Sequence, residues 1–325
     1  MSDMSHLVIP FASCHLGQPA LPSLQLPHLE QLLARLAPGP VDTGSEESLT
    51  PPHERVLARA RGLTAPDGLL PWAAWQAGER GLPGAADGAW AIVTPCHWQM
   101  ASAHVDMLDP GALRLSPAES HALLAAMQGY FAEDGIALHY VGPTTWLACG
   151  EWFRDLPTAS LDRVAGRRVD DWMPRADQAR GLRRLQNEMQ MLLYTHAVND
   201  DRGARGLAPV NSFWVSGTGT SGQTAGVNPH PGPLPGGEGV KTLVPRGLAD
   251  AVWRDDGPAW MAAWQAIDGT ECAALLQRLD QKKPASLTLC GESHARTFTS
   301  AGFGLRQRIS SLFRPTPWSS VHVTL

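Results

Sequence analysis

Paired cysteines are missing from this chain of 325 residues. The five present, Cys14, Cys96, Cys149, Cys272 and Cys290, are odd in number, far apart, and contain no C-x-x-C pair. That spacing excludes a disulfide framework and a clustered structural zinc site. A basic excess is missing too: the net charge is −5, which excludes a general phosphate-tracking nucleic-acid binder. No uninterrupted apolar run approaches the ~18 residues that span a bilayer. The stretch Met1 to Ser13 has neither the basic start nor the apolar length of a signal peptide. No membrane partner and a cytoplasmic location are therefore expected. Tyrosine is scarce, three against twelve tryptophans, and the tryptophans are scattered from Trp72 to Trp318, as packing residues would be. The remaining composition, 43% hydrophobic and 18% charged, is that of a globular protein long enough for two domains or one domain with a large insertion.

Two motifs start and do not finish. His53-Glu54 opens a zinc-protease H-E-x-x-H, but Leu57 stands where the second histidine ligand belongs. Gly217-Thr-Gly219-Thr-Ser-Gly222 satisfies G-x-G-x-x-G after a strand, yet the following residues are too rich in glycine and proline for the helix that would aim its amides at a pyrophosphate. Dinucleotide binding is not expected.

What is present centres on Leu182 to Gly219. Leu182, Leu185, Met189, Leu192 and His196 recur at three- and four-residue intervals and predict one stripe of a helix. A polar knot follows, His196, Asn199, Asp200, Asp201, Arg202 and Arg205, closed by Gly206 and Pro209. Val210 to Val215 then reads as a buried strand ending in a glycine-rich turn. Elsewhere the pattern predicts strands at Leu7–Phe11, Ala89–Thr94 and Ser286–Cys290, and a hairpin of Ile136–Val141 with Thr144–Cys149. Helices are predicted from Pro27, from Pro52, within Asp67–Gly78, and over Leu248–Trp253, Trp260–Ile267 and Glu271–Leu279. Ser116-Pro117-Ala118-Glu119 is a capping box with proline in the first turn, so a helix should run from there to about Phe131. Gly217 to Lys241 has too few aliphatic side chains to offset its ordering entropy and reads as a flexible insertion.

His196-Ala-Val-Asn199, Arg202, Gly206, Pro209, Asn211-Ser-Phe-Trp214 and Gly217-Thr-Gly219 resemble a motif series of archaeal-type cofactor-independent phosphoglycerate mutases. More closely, LVIPFA, LTPPHERVLAR, SLDRVAGR and LQNEMQMLLYTHAVN resemble bacterial RpfE-type regulatory proteins, over roughly residues 7 to 219. The resemblance implies an α/β fold of the alkaline phosphatase superfamily: a mostly parallel sheet flanked by helices, with an inserted smaller α+β domain. Residues 1–94 and 242–325 would form the core, 95–216 the inserted substrate-type domain, and 217–241 the flexible insertion. It also implies chemistry by two divalent metals held by Asp and His at strand ends. The sequence departs there. Phe11-Ala12-Ser13 stands where the family has Asp-Gly, no hydroxyl residue fills the nucleophile place near Pro52-His53-Glu54, and Gly291-Glu292-Ser293-His294 replaces an Asp-His pair. The resemblance thus points to a phosphoglycerate mutase-like protein without metal-dependent catalysis and without a cofactor, acting in regulation or small-anion binding. The alternative is an active mutase or related phosphotransfer enzyme whose manganese or zinc pair sits on rearranged ligands Glu292, His294 and His53.

Arg163, Arg167, Arg168, Arg202 and Arg205 flank the helix that carries His196 and Asn199, and guanidinium forks suit a carboxylate or phosphate. Asp162, Asp170, Asp171, Asp200 and Asp201 lie close enough in sequence to pair with them instead, and both uses stay open. The candidate binding set is His196, Asn199, Arg202, Arg163, Arg168 and Asn211. Its expected ligand is a phosphorylated or carboxylated small molecule.

Overall fold

The computed structural model describes residues 4–17, 24–101, 103–175, 177, 179–224, 240–300 and 318–325. The chain divides into two compact units, residues 1–62 with 229–325, and residues 63–228.

The first unit is built on a sheet of β1 (Met4–Ile9), β2 (Ala37–Asp42), β9 (Val240–Leu243), β10 (Ala285–Cys290) and β11 (Ala295–Thr299), in the order β2-β11-β10-β1-β9. β1 pairs in parallel with β10 and β9, while β11 is antiparallel to both β10 and β2. Every strand except β11 therefore runs the same way, and the sheet is mostly parallel as expected. All six residues of β10 are buried, as a strand covered on both faces requires. β2 was not legible in the sequence, where Pro38-Gly39 reads as a helix stop. Its prolines are tolerated because the strand lies at the sheet edge.

Successive residues of a strand face opposite ways, and β1 shows it. Leu7 and Ile9, with Leu287, Leu289 and Phe298, pack on one side against helices α1 (Pro27–Arg35), α8 (Gly247–Trp253), α9 (Gly257–Ile267), α10 (Ala273–Asp280) and the short α11 (Trp318–Val321). Each fully buried Leu, Ile or Phe contributes about 1.5–3 kcal/mol here. On the other side Val8, Cys290 and Ala295 meet Val56 of α2 (Pro52–Ala60). That side also carries a polar chain: His6 Nε2 lies 2.8 Å from Thr288 Oγ1, which lies 2.8 Å from Thr297 Oγ1. Burial lowers the His6 pKa to about 4, so the ring is neutral. α9 runs into α10 through a π-helical turn, Asp268–Cys272. Asp268 in that turn accepts from the Leu29 and His28 amides at 2.7 and 3.3 Å, capping α1 from outside because α1 has no side-chain cap of its own.

The second unit holds an antiparallel sheet, β6 (Ala137–Gly142), β7 (Thr145–Cys149), β3 (Ala89–Cys96) and β8 (Ser212–Thr220), in that order, and a ribbon of β4 (Trp98–Met100) with β5 (Val105–Met107). Ala89, Ala91 and Val93 face α4 (Pro117–Glu133) and α6 (Ala179–Tyr194), while Trp90 packs on α3 (Trp72–Glu79). Two shorter helices, α5 (Leu161–Val164) and α7 (Ala197–Ala204), complete it. The capping box forms as read: Ser116 Oγ accepts from the Glu119 amide and Glu119 accepts from the Ser116 amide.

Three boundaries are corrected. Residues 63–94 belong to the second unit rather than to the parallel-sheet core, because β3 pairs on both edges with β7 and β8. Of the stretch 217–241, Gly217–Thr220 ends β8, Ser221–Thr224 is a 3-10 turn, and Val240 and Lys241 begin β9; residues 225–239 lie outside the described residues. The helix stripe ends on Leu193, with α6 stopping at Tyr194, so His196 caps the next helix instead of continuing the stripe.

Candidate functional site

Two polar clusters carry the residues of interest, one in each unit. In the second unit, the α6–α7 turn and the approach to β8 bring His196, Asn199 and Arg202 together. His196 is the N-cap of α7, its Nδ1 accepting from the Val198 amide at 3.2 Å. Asn199 is buried and bridges the loop, donating to Leu193 O at 2.8 Å and Val210 O at 2.7 Å while accepting from the Val210 amide at 2.8 Å. Arg202 is fully buried; Nε donates to Ala208 O (2.9 Å), Nη2 to Leu113 O (2.6 Å) and Nη1 to Glu119 (3.2 Å). Glu119 also binds Arg205. Burial alone would raise the Glu119 pKa. Hydrogen bonds from the Ser116 amide and hydroxyl and from Arg205, with the charge of Arg202, outweigh it and bring the value down to about 2.

Asn211 stands next to this knot and clamps β4, accepting from the Trp98 amide at 2.7 Å and donating to Trp98 O at 2.9 Å. Arg163 and Arg168 do not join it. Arg163 is buried on α5 with its guanidinium 5.6 Å from the Trp172 ring centroid. Arg168 is exposed, 4.0 Å from Asp171 and bridged through its backbone to Asp106. The candidate set is thus split between two loops. In the knot, the donors are directed at carbonyl oxygens and at Glu119, an arrangement that fixes the α6–α7–β8 connection.

The second cluster lies in the first unit, at the C-terminal ends of β1 and β10, where open α/β sheets hold ligands. After β1 the chain turns through Phe11 at φ 52°, a left-handed conformation that is costly for a bulky residue. Trp260 Nε1 donates to Phe11 O at 3.0 Å and the Ala12 amide to Cys290 O at 2.7 Å, holding the turn. After β10, residues 291–294 form a tight loop closed by the Gly291 amide on His294 O at 2.8 Å. The His294 amide donates to Leu325 O (3.1 Å) and Arg55 Nη2 to Ser293 O (2.9 Å). A Cβ at Gly291 would come within 2.3 Å of Leu325 O, so glycine is required there. Arg55 is itself tied to Thr50 O at 3.0 Å and, with Arg59, to Asp42 at the end of β2.

This scaffold turns Glu292, Ser293 and His294 toward an open cavity of about 850 Å³ whose lining also includes Cys14, His15, Glu46 and His322. Ser293 Oγ lies 2.6 Å from His294 Nδ1. His15 Nε2 lies 3.1 Å from Asp255, and its Nδ1 is 4.0 Å from Glu292. Among the described residues, the lining contains no lysine or arginine. Gly291–His294 is legible in the sequence as the stretch after the Ser286–Cys290 strand that stands in place of an Asp-His pair; His15, Glu46 and His322 carry no local signal, being brought in by three separate segments.

The rearranged ligand set of Glu292, His294 and His53 is not brought together at these strand ends. Phe11 and Ala12 fill the β1 end as buried apolar side chains. His53 is buried with its ring 5.9 Å from that of Phe11, and it does not line the cavity with Glu292 and His294. Among the described residues of this unit, no three His, Cys, Asp or Glu side chains converge by themselves on an ion-sized space. Two divalent ions need several hard oxygen or imidazole ligands to replace their water.

No helix among the described residues is long and apolar enough to cross a membrane. Compared with protein-family models and with curated proteins, the chain has no match. Among solved structures it is similar to the cofactor-independent phosphoglycerate mutase from Thermoplasma acidophilum DSM 1728, at 14% identity over 94% of this chain and 91% of that one, with a TM-score of 0.35. It is also similar to the PH0037 protein from Pyrococcus horikoshii, at 11% identity over 95% of this chain and 92% of that one, with a TM-score of 0.47. Neither likeness assigns a role to any residue here.

Proposed function

We propose that this chain is a phosphoglycerate mutase-like protein, related to the RpfE-type regulatory proteins, that does not run the two-metal reaction and instead binds a small molecule in a regulatory role. The observation that carries this reading is the strand-end cavity itself. Its loop is held by its own closure, by Leu325 and by Arg55, yet the β1 position that would supply the first metal carboxylate is occupied by Phe11 and Ala12. The ligand belongs in that cavity rather than at the arginines, because Arg202 is engaged inside its own unit.

Purified protein supplied with manganese is expected to leave 2- and 3-phosphoglycerate unchanged. Turnover that a chelator abolishes would overturn the reading. A thermal-shift panel of small carboxylates, phosphates and neutral esters is the positive test. A cavity ligand at about 100 times its dissociation constant should add about 2.7 kcal/mol of stability, and the Glu292→Ala variant should lose it.

A further inference from the structure

We infer that Ser293 and His294 form a nucleophile and base pair that accepts an acyl group from a neutral or cationic ester bound in the strand-end cavity. This rests on the reading of that cavity as the ligand site. Four observations support it. Ser293 Oγ is 2.6 Å from His294 Nδ1, within the reach a base needs to take the hydroxyl proton. Both side chains are half-buried and open to the cavity rather than sealed in the core. Their backbone is fixed by the Gly291–His294 closure, by Arg55 on Ser293 O and by Leu325 on the His294 amide, so the pair is held in register before a ligand arrives. Finally, among the described residues the cavity lining carries Glu46 and Glu292 and no lysine or arginine, a field that opposes anionic substrates and accepts neutral or positively charged ones.

The step balances without a further reagent. Ser293 Oγ attacks the ester carbonyl carbon as its proton passes to His294 Nδ1. The C–O bond to the alcohol then breaks, and the alkoxide leaves with the proton from the imidazolium. Water hydrolyses the resulting acyl-serine, giving the carboxylic acid and restoring both side chains. Ser13, His15 and His322 line the same cavity and are among the O–H and N–H groups that could face the developing carbonyl oxyanion.

The test uses the full chain and a neutral alkyl fluorophosphonate. Attack by Ser293 Oγ on phosphorus expels fluoride and leaves a stable phosphonyl-serine. The expected result is one adduct per chain by intact mass, mapped to Ser293, absent in Ser293→Ala and slowed by about 10² or more in His294→Ala. His294→Gln, which keeps a hydrogen-bonding side chain without a base, separates lost chemistry from lost folding and should be as slow as the alanine variant. p-Nitrophenyl acetate should likewise give a burst of one equivalent of nitrophenolate that Ser293→Ala removes. No labelling, or labelling that persists in Ser293→Ala, overturns the pair. If a neutral ester still stabilises the unlabelled protein, the cavity reading stands alone; if it does not, both fall.

Discussion

The two polar clusters have similar ingredients and place them differently. In the knot, Asn199 and Arg202 are buried and their polar groups meet carbonyl oxygens, an amide and Glu119. At the strand ends the bonding is done by the backbone of residues 291–294 and by Arg55, which leaves the side chains of Glu292, Ser293 and His294 turned toward a cavity. A side chain consumed by its own fold cannot also recognise a ligand without breaking that fold. A side chain whose backbone is anchored elsewhere can.

Breaking the knot should have the largest effect. Arg202→Ala removes a buried guanidinium and leaves Glu119 and two carbonyl oxygens short of a donor, for an expected loss of about 3 kcal/mol in chemical denaturation of the second unit. Fluorophosphonate labelling of Ser293 in the still-folded fraction should be unchanged. If Arg202→Ala instead leaves stability intact and abolishes anion binding, the contrast between the clusters is reversed.

Acid should distinguish the two units next. His6 has a folded pKa lowered to about 4 from 6.5 by burial. The unfolded chain therefore binds the extra proton first, and this contribution is complete above 6.5 and lost as pH falls toward 4. Glu119 has a folded pKa lowered to about 2 from 4.5, so its contribution holds above 4.5 and is lost only as pH falls toward 2. Hydrogen exchange on a descending pH series should show protection falling in β1 and β10 before α4 and α7. His6→Gln should flatten the first decline and Glu119→Gln the second.

The smallest effect is expected at Arg168, whose exposed pair with Asp171 is 4.0 Å apart. Arg168→Ala should change stability by under about 0.5 kcal/mol and leave ligand shifts untouched. A larger loss of ligand stabilisation in that variant would restore the arginine loop as a binding surface.

Much of the fold was legible because its signals are local. The Ser116–Glu119 capping box, the Pro27 helix start, the Leu182–Leu185–Met189 stripe and the β6–β7 hairpin each fit within one or two turns of chain. The errors lie where partners are remote. β2 is a strand only because β11 offers it an edge, and β3 belongs to the second sheet only because β7 and β8 flank it. The knot was visible as a run of polar residues. Its use was not, since Arg202 meets Leu113 O and Glu119 some eighty to ninety residues away.

The sequence by itself determined the helices, most strands, the absence of staples and the missing carboxylates at the first strand end, because each depends on residue type and short spacing. Tertiary structure alone decided which polar groups are spent and which remain turned toward a cavity. Hydrogen-bond satisfaction is a property of pairs, and here the partners of Arg202, Ser293 and Gly291 come from distant parts of the chain.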